Sequence, residues 1–303
     1  MSSFIDTTCL VCGTNEYTKV KFKQNFLPEN LNANIFSARR TTEHYHYQML
    51  ECQKCSSVFS SPILPQEQIA VLYKESKQNY DNELTCIAES YIQYVYQNAT
   101  LFRQKDRALE IGCASGFFLR ELQKAGFKEV FGVEPSEDAV AKSGDLKDYI
   151  FTGFFENAGY ARDSFDMISC FQTLDHLINP LEVLKKIFEL LKPGGIAYFI
   201  VHNEKGLQAK IFGEKSPIYD VEHIYLFNKS TLSRISQKAG FEVVKVFDIK
   251  NTYPLSYWLR MAPIPMKSTV TGIVKGMGLL NKRIGIYPGN IGIFIRKPAI
   301  HSS

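Results

Sequence analysis

Between residues 106 and 247, short apolar blocks alternate with segments whose apolar residues recur at helical spacing. The blocks at 108–111 and 165–171 are short and continuous, as strands buried on both faces of a parallel sheet are. Residues 117–125 carry apolar side chains at helical spacing, and Gly126 ends that pattern. Strands that alternate with helices indicate βαβ units, so the pattern predicts an α/β fold with a parallel sheet.

The same criteria place the remaining elements of this region. Further strands are predicted at 129–133, 196–201, 241–247 and 291–295. One helix is predicted to begin near Pro180 and to end at the Lys-Pro-Gly-Gly run of 192–195, and another to cover 229–239.

The chain divides into three predicted parts. Residues 1–65 form a small N-terminal module, which ends in the proline-bounded run at 61–65. Residues 66–105 have helical periodicity and are predicted to be a helical linker or lid. Residues 106–303 form the α/β domain, and about 250–290 of it is predicted to be a helical insertion.

The composition is that of a globular protein, with 45% hydrophobic and 22% charged residues in 303. The net charge of +4 is small and basic residues are interleaved with acidic ones, so we expect no nucleic-acid partner. No segment has the roughly 18 consecutive apolar residues of a transmembrane helix, and the N-terminus lacks the pattern of a secretory signal. These features predict a cytoplasmic protein.

Two CxxC pairs stand in the N-terminal module, Cys9 with Cys12 and Cys52 with Cys55. Two such pairs have the ligand set of a tetrahedral zinc site, in which each pair chelates one side of the metal. A site closed by four thiolates leaves no open position, so the predicted zinc is structural. His44 and His46, just before the second pair, are expected to be ordinary surface histidines.

The segment Glu110-Ile-Gly-Cys-Ala-Ser-Gly116 follows a predicted strand and opens a helix. Glycines at such a turn let a ligand lie against the backbone near the helix N-terminus. Glu134, at the end of the next strand, is placed to accept the hydroxyls of a ribose. The GxGxxG fingerprint of dinucleotide-binding proteins is absent, which disfavours an NAD-dependent oxidoreductase.

The stretches ALEIGCASG, FGVEPS, FDMISCFQTLDHLINP and LKPGGIAYFIV resemble, in order and spacing, the class I S-adenosylmethionine-dependent methyltransferases. The resemblance covers about residues 105–247 and also the last predicted strand, at 291–295. It implies a Rossmann-like sheet of seven strands, the final two forming an antiparallel pair, and an enzyme that uses S-adenosylmethionine.

The resemblance also implies which residues bind the cofactor. Glu110, Gly112 and Gly116 would hold its methionine end, with Cys113 beside them. Glu134 would hold the ribose, with Pro135 next to it. Phe171 and Gln172 would lie near the sulfonium. Members often carry an acidic residue for the adenine amine directly after the glycine at 153; here Phe154 and Phe155 intervene, so Glu156 is the predicted polar contact.

A four-cysteine module in front of this core is similar to zinc-containing sugar methyltransferases, some of which methylate carbon atoms of nucleotide-linked ketosugars. Their Y-H-E-H stretch corresponds to Asp220-Val-Glu222-His223. The resemblance implies that His223 is the general base, assisted by Glu222 and by Tyr219, which stands one residue out of register. His176 is expected to have a structural role or to line the pocket wall. His202 and Asn203, which end the fifth predicted strand where a side chain can face the acceptor, are secondary candidates. The implied acceptor is a small molecule, a sugar or nucleotide sugar methylated on carbon or oxygen.

The same motifs fit other hypotheses about function. A non-catalytic zinc-ribbon protein whose Rossmann domain senses the cofactor would keep the same motifs, and the acceptor could be lipid-linked or a natural product. The insertion at 250–290 combines aromatic, apolar and basic residues. That pattern suits a substrate lid, an interface between copies of the chain, or a peripheral membrane contact.

Overall fold

The computed structural model describes residues 4–27, 31, 45–75, 81–261 and 267–299. The strands are β1 (Thr18–Phe22), β2 (Met49–Cys52), β3 (Val58–Ser60), β4 (Arg107–Ile111), β5 (Glu129–Glu134), β6 (Ile150–Thr152), β7 (Phe165–Phe171), β8 (Leu191–His202), β9 (Tyr225–Leu226), β10 (Glu242–Asp248), β11 (Asn251–Pro254), β12 (Arg283–Ile286) and β13 (Asn290–Arg296). The α-helices are α1 (Gln66–Glu75), α2 (Asp81–Gln97), α3 (Phe117–Lys124), α4 (Glu137–Ala141), α5 (Pro180–Leu190), α6 (Leu207–Phe212), α7 (Lys229–Lys238), α8 (Leu255–Met261) and α9 (Lys267–Gly276).

The central sheet has seven strands in the order β10-β13-β8-β7-β4-β5-β6. The strands from β8 to β6 run parallel, whereas β13 pairs antiparallel with both β8 and β10. This confirms the predicted Rossmann-like sheet and its final antiparallel pair. Because the order reverses between β4 and β7, the loops after these two strands diverge and leave a crevice at their carboxyl ends.

Helices cover both faces of the sheet. On one face, α5 and α7 pack through residues such as Leu184 and Leu232. On the other, α2 and α3 pack through residues such as Tyr91 and Leu119. Strand β7 is buried from Phe165 to Cys170, which explains its continuous apolar sequence.

Several elements differ from the sequence prediction. Helix α5 ends at Leu190, and β8 begins at once at Leu191, so the Lys-Pro-Gly-Gly run lies in the strand. Strand β6 was not predicted, because it has three residues of which only Ile150 is buried. The insertion contains the antiparallel pair β11–β12 as well as α8 and α9, so it is not purely helical.

The N-terminal module is built on a second sheet with the order β1-β2-β3-β9. Three of these strands come from residues 18–60, but β9 comes from the α/β domain and pairs antiparallel with β3. A two-residue strand has too little pattern to be recognised in a sequence. The pairing joins the module to the segment that follows β8.

Candidate functional site

A cavity of about 800 Å³ opens at the carboxyl ends of β4, β5, β7 and β8. This volume lies in the upper part of the range of about 300–1,000 Å³ that is usual for ligand sites. The wall of the cavity includes the loop after β4, the residues after β7 and the segment between β8 and β9. One continuous space therefore joins the predicted cofactor loop to the predicted catalytic segment.

The loop after β4 turns at Gly112, whose φ is +74°. A side chain at this position would collide with the hydroxyl of Thr173 and would be strained by the positive φ. Ala114, two residues later, has a φ of +48°, which is uncommon for a residue with a Cβ. A bare backbone bent in this way is the expected floor of a ligand site.

Two buried carboxylates lie beside this loop. Glu134 accepts hydrogen bonds from the backbone N–H groups of Ala114 and Ser136, both at 2.9 Å. Glu110 is also buried, and its Oε2 has no hydrogen-bond partner among the described residues. Burial, reinforced by the neighbouring Glu134, raises the pKa of Glu110 well above its ordinary value. An unsatisfied carboxyl group that lines a cavity is suited to a ligand that carries positive charge.

The predicted cofactor residues come together around this loop. All of them except Gly116 line the cavity: Glu110, Gly112, Cys113, Glu134, Pro135, Glu156, Phe171 and Gln172. Gly116 is the N-cap of α3 with a φ of +78°, and a Cβ there would lie 2.9 Å from a methyl of Leu146. The absence of a side chain therefore allows α3 to pack closely, and the contact of Gly116 with the cofactor stays a prediction.

Gln172, directly after β7, also has positive φ, at +51°. Its backbone N–H donates to the carbonyl of Ile200, and its side-chain amide donates to the Tyr91 hydroxyl at 3.3 Å. These contacts fix the turn between the cofactor loop and the deeper part of the cavity. Tyr91 was not predicted as a site residue, since its spacing on α2 is that of an ordinary core position.

Three histidines cluster at the other end of the cavity. The ring of His223 lies 4.8 Å from that of His176 and 4.5 Å from that of His202, measured between centroids. All three rings line the cavity. Asp175 lies behind them, fully buried, with Oδ2 at 2.7 Å from Nδ1 of His202.

The predicted catalytic residues are separated by the structure. Glu222 and His223 line the cavity, and so does Asp220. Tyr219 does not line it, and its ring packs against Phe22 of the module at 4.9 Å. Of these two neighbouring residues, Asp220 therefore lies at the cavity and Tyr219 lies against the module.

The insertion supplies an aromatic wall. Tyr253, Tyr257 and Trp258 line the cavity, and the first two rings stack with centroids 4.0 Å apart. Trp258 is held in place by donating its indole N–H to the carbonyl of Ile284. Of the described residues, Arg260 is the only lysine or arginine in the cavity wall. The insertion therefore forms part of the cavity wall.

The four cysteines of the module come together. The sulfurs of Cys9 and Cys55 are 3.3 Å apart, those of Cys12 and Cys52 are 3.8 Å apart, and all four lie within 4.8 Å of one another. Zn–S bonds of about 2.3 Å in a tetrahedron place the sulfurs roughly 3.8 Å apart. The arrangement therefore fits one zinc ion.

The module also contacts the predicted catalytic segment, residues 219–223. Strand β3 pairs with β9, and Ser60 at its end donates its N–H to the carbonyl of Ile224 at 2.8 Å. The hydroxyl of Ser60 donates to the carbonyl of His223 at 3.2 Å. On the opposite side, the N–H of Ile224 donates to the carbonyl of Asp175 at 2.9 Å. The backbone at His223 is thus fixed between the module and the end of β7.

His46 corrects an expectation. It is fully buried, with Nδ1 at 2.8 Å from the carbonyl of Tyr47 and Nε2 at 3.1 Å from a carboxylate oxygen of Glu214. It therefore connects the module to the turn after α6 and is not a surface residue. Its partner is distant in sequence, so no local pattern could reveal the contact. His44 lies outside the described residues.

Residues 82–246 match the family model described as a methyltransferase domain, which is more than half of the chain. The chain belongs to this family and is an S-adenosylmethionine-dependent methyltransferase. The cofactor loop, the crevice and the unsatisfied carboxyl group of Glu110 are consistent with this membership.

Similar proteins include the ubiquinone biosynthesis O-methyltransferase of Aromatoleum aromaticum, which is 25% identical over 170 residues, or 51% of this chain and 71% of that protein. The protein of the same name from Azoarcus sp. is 28% identical over 155 residues, covering 46% of this chain and 66% of that protein. Other curated relatives are matched over only half of their length, such as that of Aliivibrio fischeri at 50%. A solved structure of a SAM-dependent methyltransferase from Archaeoglobus fulgidus aligns over 69% of this chain and 94% of that one, with a TM-score of 0.49 and 20% identity.

No helix in the described part of the chain has both the length and the apolar character needed to cross a bilayer.

The raised pKa of Glu110 predicts how stability depends on pH. Because the folded state holds the Glu110 proton more tightly than the unfolded state, the free energy of unfolding falls as pH rises above about 4.5. Between the pKa of the unfolded state and the higher pKa of the folded state, the free energy of unfolding falls by about 1.4 kcal/mol for each pH unit. Above the folded pKa there is no further loss. Glu110→Gln removes this loss, so the ligand-free variant should melt above the wild type at pH 8 and close to it at pH 4.

Differential scanning fluorimetry of both proteins from pH 4 to pH 9 measures this difference. The exposed Glu242→Gln is the matched control and should follow the wild type at every pH. Parallel melting curves of wild type and Glu110→Gln would show that Glu110 is ionised in the folded protein, against our interpretation.

Proposed function

We propose that this methyltransferase acts on a hydroxyl group of a small, uncharged ring compound. The observation that carries the proposal is the single cavity in which the cofactor loop, the histidine cluster and the aromatic wall meet. A donor and an acceptor can be held there side by side, which is the main requirement of a direct displacement.

The chemistry of the wall supports an uncharged acceptor. Six carboxyl groups line the cavity, against the one guanidinium of Arg260: Glu67, Glu110, Glu134, Glu156, Asp220 and Glu222. Burial raises the pKa of Glu110, Glu134 and Asp220, but even with part of the carboxyl groups protonated the described wall has only Arg260 to neutralise an acceptor with several negative charges, whereas the cofactor brings positive charge. A flat ring can pack against the half-buried Tyr257 and Trp258, which line the cavity. The names of the relatives, O-methyltransferases of ubiquinone biosynthesis, support oxygen as the methylated atom.

Each part of the wall would have one function in the reaction. S-adenosylmethionine, when bound, supplies a methyl group on a positively charged sulfur. Glu134 would bind its ribose and Glu110 its charged methionine end, while Phe154 and Glu156 would surround the adenine. The histidine cluster would remove the proton of the acceptor hydroxyl, and sequence analysis placed His223 first in this role. The module and the insertion would exclude water from the cavity.

A sugar acceptor is the second candidate, because an aromatic wall also suits the apolar face of a pyranose ring. A sugar nucleotide is less suited to the same cavity. Its diphosphate would be near the carboxylates, with Arg260 as the cation available in the described wall.

Isothermal titration calorimetry of the protein with S-adenosylmethionine tests the cofactor site. Glu134→Ala should weaken binding by the value of a charge-assisted hydrogen bond, about 1.5 to 3 kcal/mol. Glu137→Ala, on the exposed side of α4 and outside the cavity wall, is the control and should bind as the wild type does. Equal binding by Glu134→Ala would remove Glu134 from the site.

Three probes then test the acceptor class: 3,4-dihydroxybenzaldehyde, methyl glucopyranoside and thymidine diphosphate glucose. Methylation is followed as the formation of S-adenosylhomocysteine and of a product heavier by one methyl group. We expect turnover of the diphenol. Turnover of a sugar probe alone would favour the second candidate, and cofactor binding without any turnover would favour a cofactor-sensing protein.

We also infer that the four cysteines hold one structural zinc ion. Three of the four cysteines are buried, and the sulfurs have the spacing that a tetrahedral ion needs. Elemental analysis should give about one zinc per chain, and Cys52→Ser should lose it. The variant should also melt at a lower temperature, since a closed zinc site contributes directly to folding. Cys86→Ser, outside the cluster, should keep the metal. Folded wild-type protein without metal would exclude the site.

A further inference from the structure

We propose that Asp175 and His202 form a dyad in which His202 is the general base of the reaction and Asp175 is its positioning residue. The inference rests on the proposed function and names the group that takes the acceptor proton. It differs from the sequence prediction, which placed His223 in this role.

The dyad is built by two neighbouring parallel strands. His202 is the last residue of β8, and Asp175 lies in the turn that follows β7. Since the carboxyl ends of parallel neighbours meet at one edge of a sheet, the two side chains are brought together there. Asp175 Oδ2 is 2.7 Å from Nδ1 of His202 and 3.4 Å from its backbone N–H.

This contact decides the tautomer of His202. A carboxylate accepts hydrogen bonds, so Nδ1 carries the proton and donates it to Asp175. The lone pair is then on Nε2. The side chain of His202 is 22% exposed and lines the cavity, so this nitrogen belongs to a ring that an acceptor can reach.

The charge of Asp175 stabilises the product of the proton transfer. Burial alone would raise the pKa of Asp175, but the hydrogen bond from His202 and the fields of the neighbouring histidines hold it below its ordinary value. Asp175 is therefore ionised when His202 accepts a proton, and the imidazolium that forms has a carboxylate at hydrogen-bond distance. A histidine at a cavity wall with a buried carboxylate partner is the arrangement that supports general base catalysis.

His223 and His176 are bound differently from His202. Nδ1 of His223 faces the carbonyl of Ile218 at 2.9 Å, and burial, together with the two other histidines, lowers the pKa of His223 well below its ordinary value. Burial likewise lowers the pKa of His176, whose Nε2 is 3.9 Å from Asp175, beyond hydrogen-bond distance. Protonation of His223 would bury a cation whose Nδ1 faces a carbonyl, whereas Nδ1 of His202 faces a carboxylate.

Asp220, on the same segment as His223, is a further ionisable group that interacts electrostatically with His202. Its burial raises its pKa to about 6, and its Oδ1 accepts the N–H of Glu222 at 3.0 Å. Asp220 is therefore the alternative base within the cavity, and the experiment must separate it from the dyad.

The step is balanced as follows. The hydroxyl oxygen of the acceptor forms a bond to the methyl carbon while the carbon–sulfur bond breaks, and the electron pair of that bond stays on sulfur. The proton of the hydroxyl moves to Nε2 of His202. The imidazolium then returns the proton to solvent, and Asp175 stays ionised throughout.

Histidine-selective ¹⁵N NMR of the wild-type protein at pH 8 tests the tautomer without an acceptor. We expect His202 to carry its proton on Nδ1, and Asp175→Asn to reduce the population of that tautomer. A wild-type His202 with the proton on Nε2 would overturn the proposal.

Steady-state kinetics with the probe acceptor that the wild type methylates test the function of the dyad. His202→Gln should lower kcat by about 10²- to 10⁴-fold, the usual value of a general base, while calorimetric binding of S-adenosylmethionine is unchanged. Asp175→Asn should lower kcat by at least about tenfold and change the acid limb of the pH profile. Asp175→Glu, which restores a carboxylate, should recover part of the rate.

Three variants separate the candidates. A kcat within about threefold of the wild type in His202→Gln overturns the proposal. Loss of the acid limb in Asp220→Asn, with the limb intact in Asp175→Asn, assigns the base to Asp220 and also overturns it. Failure of the wild type to bind the cofactor or to methylate any probe contradicts the proposed function instead, and the NMR result then decides on the tautomer alone.

Discussion

The pairing of β3 with β9 is the contact that fixes the proposed catalytic segment, residues 219–223, to the N-terminal module. It is short, with Val58 opposite Leu226 and Phe59 opposite Tyr225. Through Ser60 it continues to the carbonyls of His223 and Ile224, and the backbone of Ile224 continues to Asp175. The segment that carries Asp220, Glu222 and His223 is therefore joined through β9 to the sheet of the cysteine module. On the other side, the N–H of Ile224 joins it to Asp175 in the turn after β7. A loop held at both sides can keep its side chains at the distances that a displacement reaction needs.

The charges of the cavity are arranged along its length. Buried carboxyl groups lie at the cofactor loop, where Glu110 has no partner among the described residues. At the other end, the carboxylate of Asp175 is matched by His202. The first group destabilises the protein unless a cationic ligand is present, whereas the second is satisfied within the fold. By this difference, Glu110 is suited to binding a ligand and Asp175 to orienting the side chain of His202.

The sequence predicts the central sheet well, because β4, β5, β7 and β8 are buried and their apolar blocks are continuous. It also predicts where the cofactor loop lies, since Gly112 and Glu134 stand at fixed places relative to those strands. It does not predict contacts that join distant segments. Ser60 with His223, His46 with Glu214, and the aromatic wall from Tyr253 to Trp258 all depend on tertiary packing. Tyr219 shows the same limit within a single segment, since it lies against the module whereas its neighbour Asp220 lies at the cavity.

Hydrogen–deuterium exchange of the protein loaded with zinc, and of the same protein after treatment with a chelator, tests the central claim most directly, namely that the module holds the predicted catalytic segment in place. On removal of zinc with a chelator, amide exchange should become faster in 49–60 and also in 218–228, whereas 107–111 and 129–134 should keep their protection. Faster exchange confined to the module, with 218–228 unchanged, would contradict the account, because the catalytic segment would then be held independently of β3.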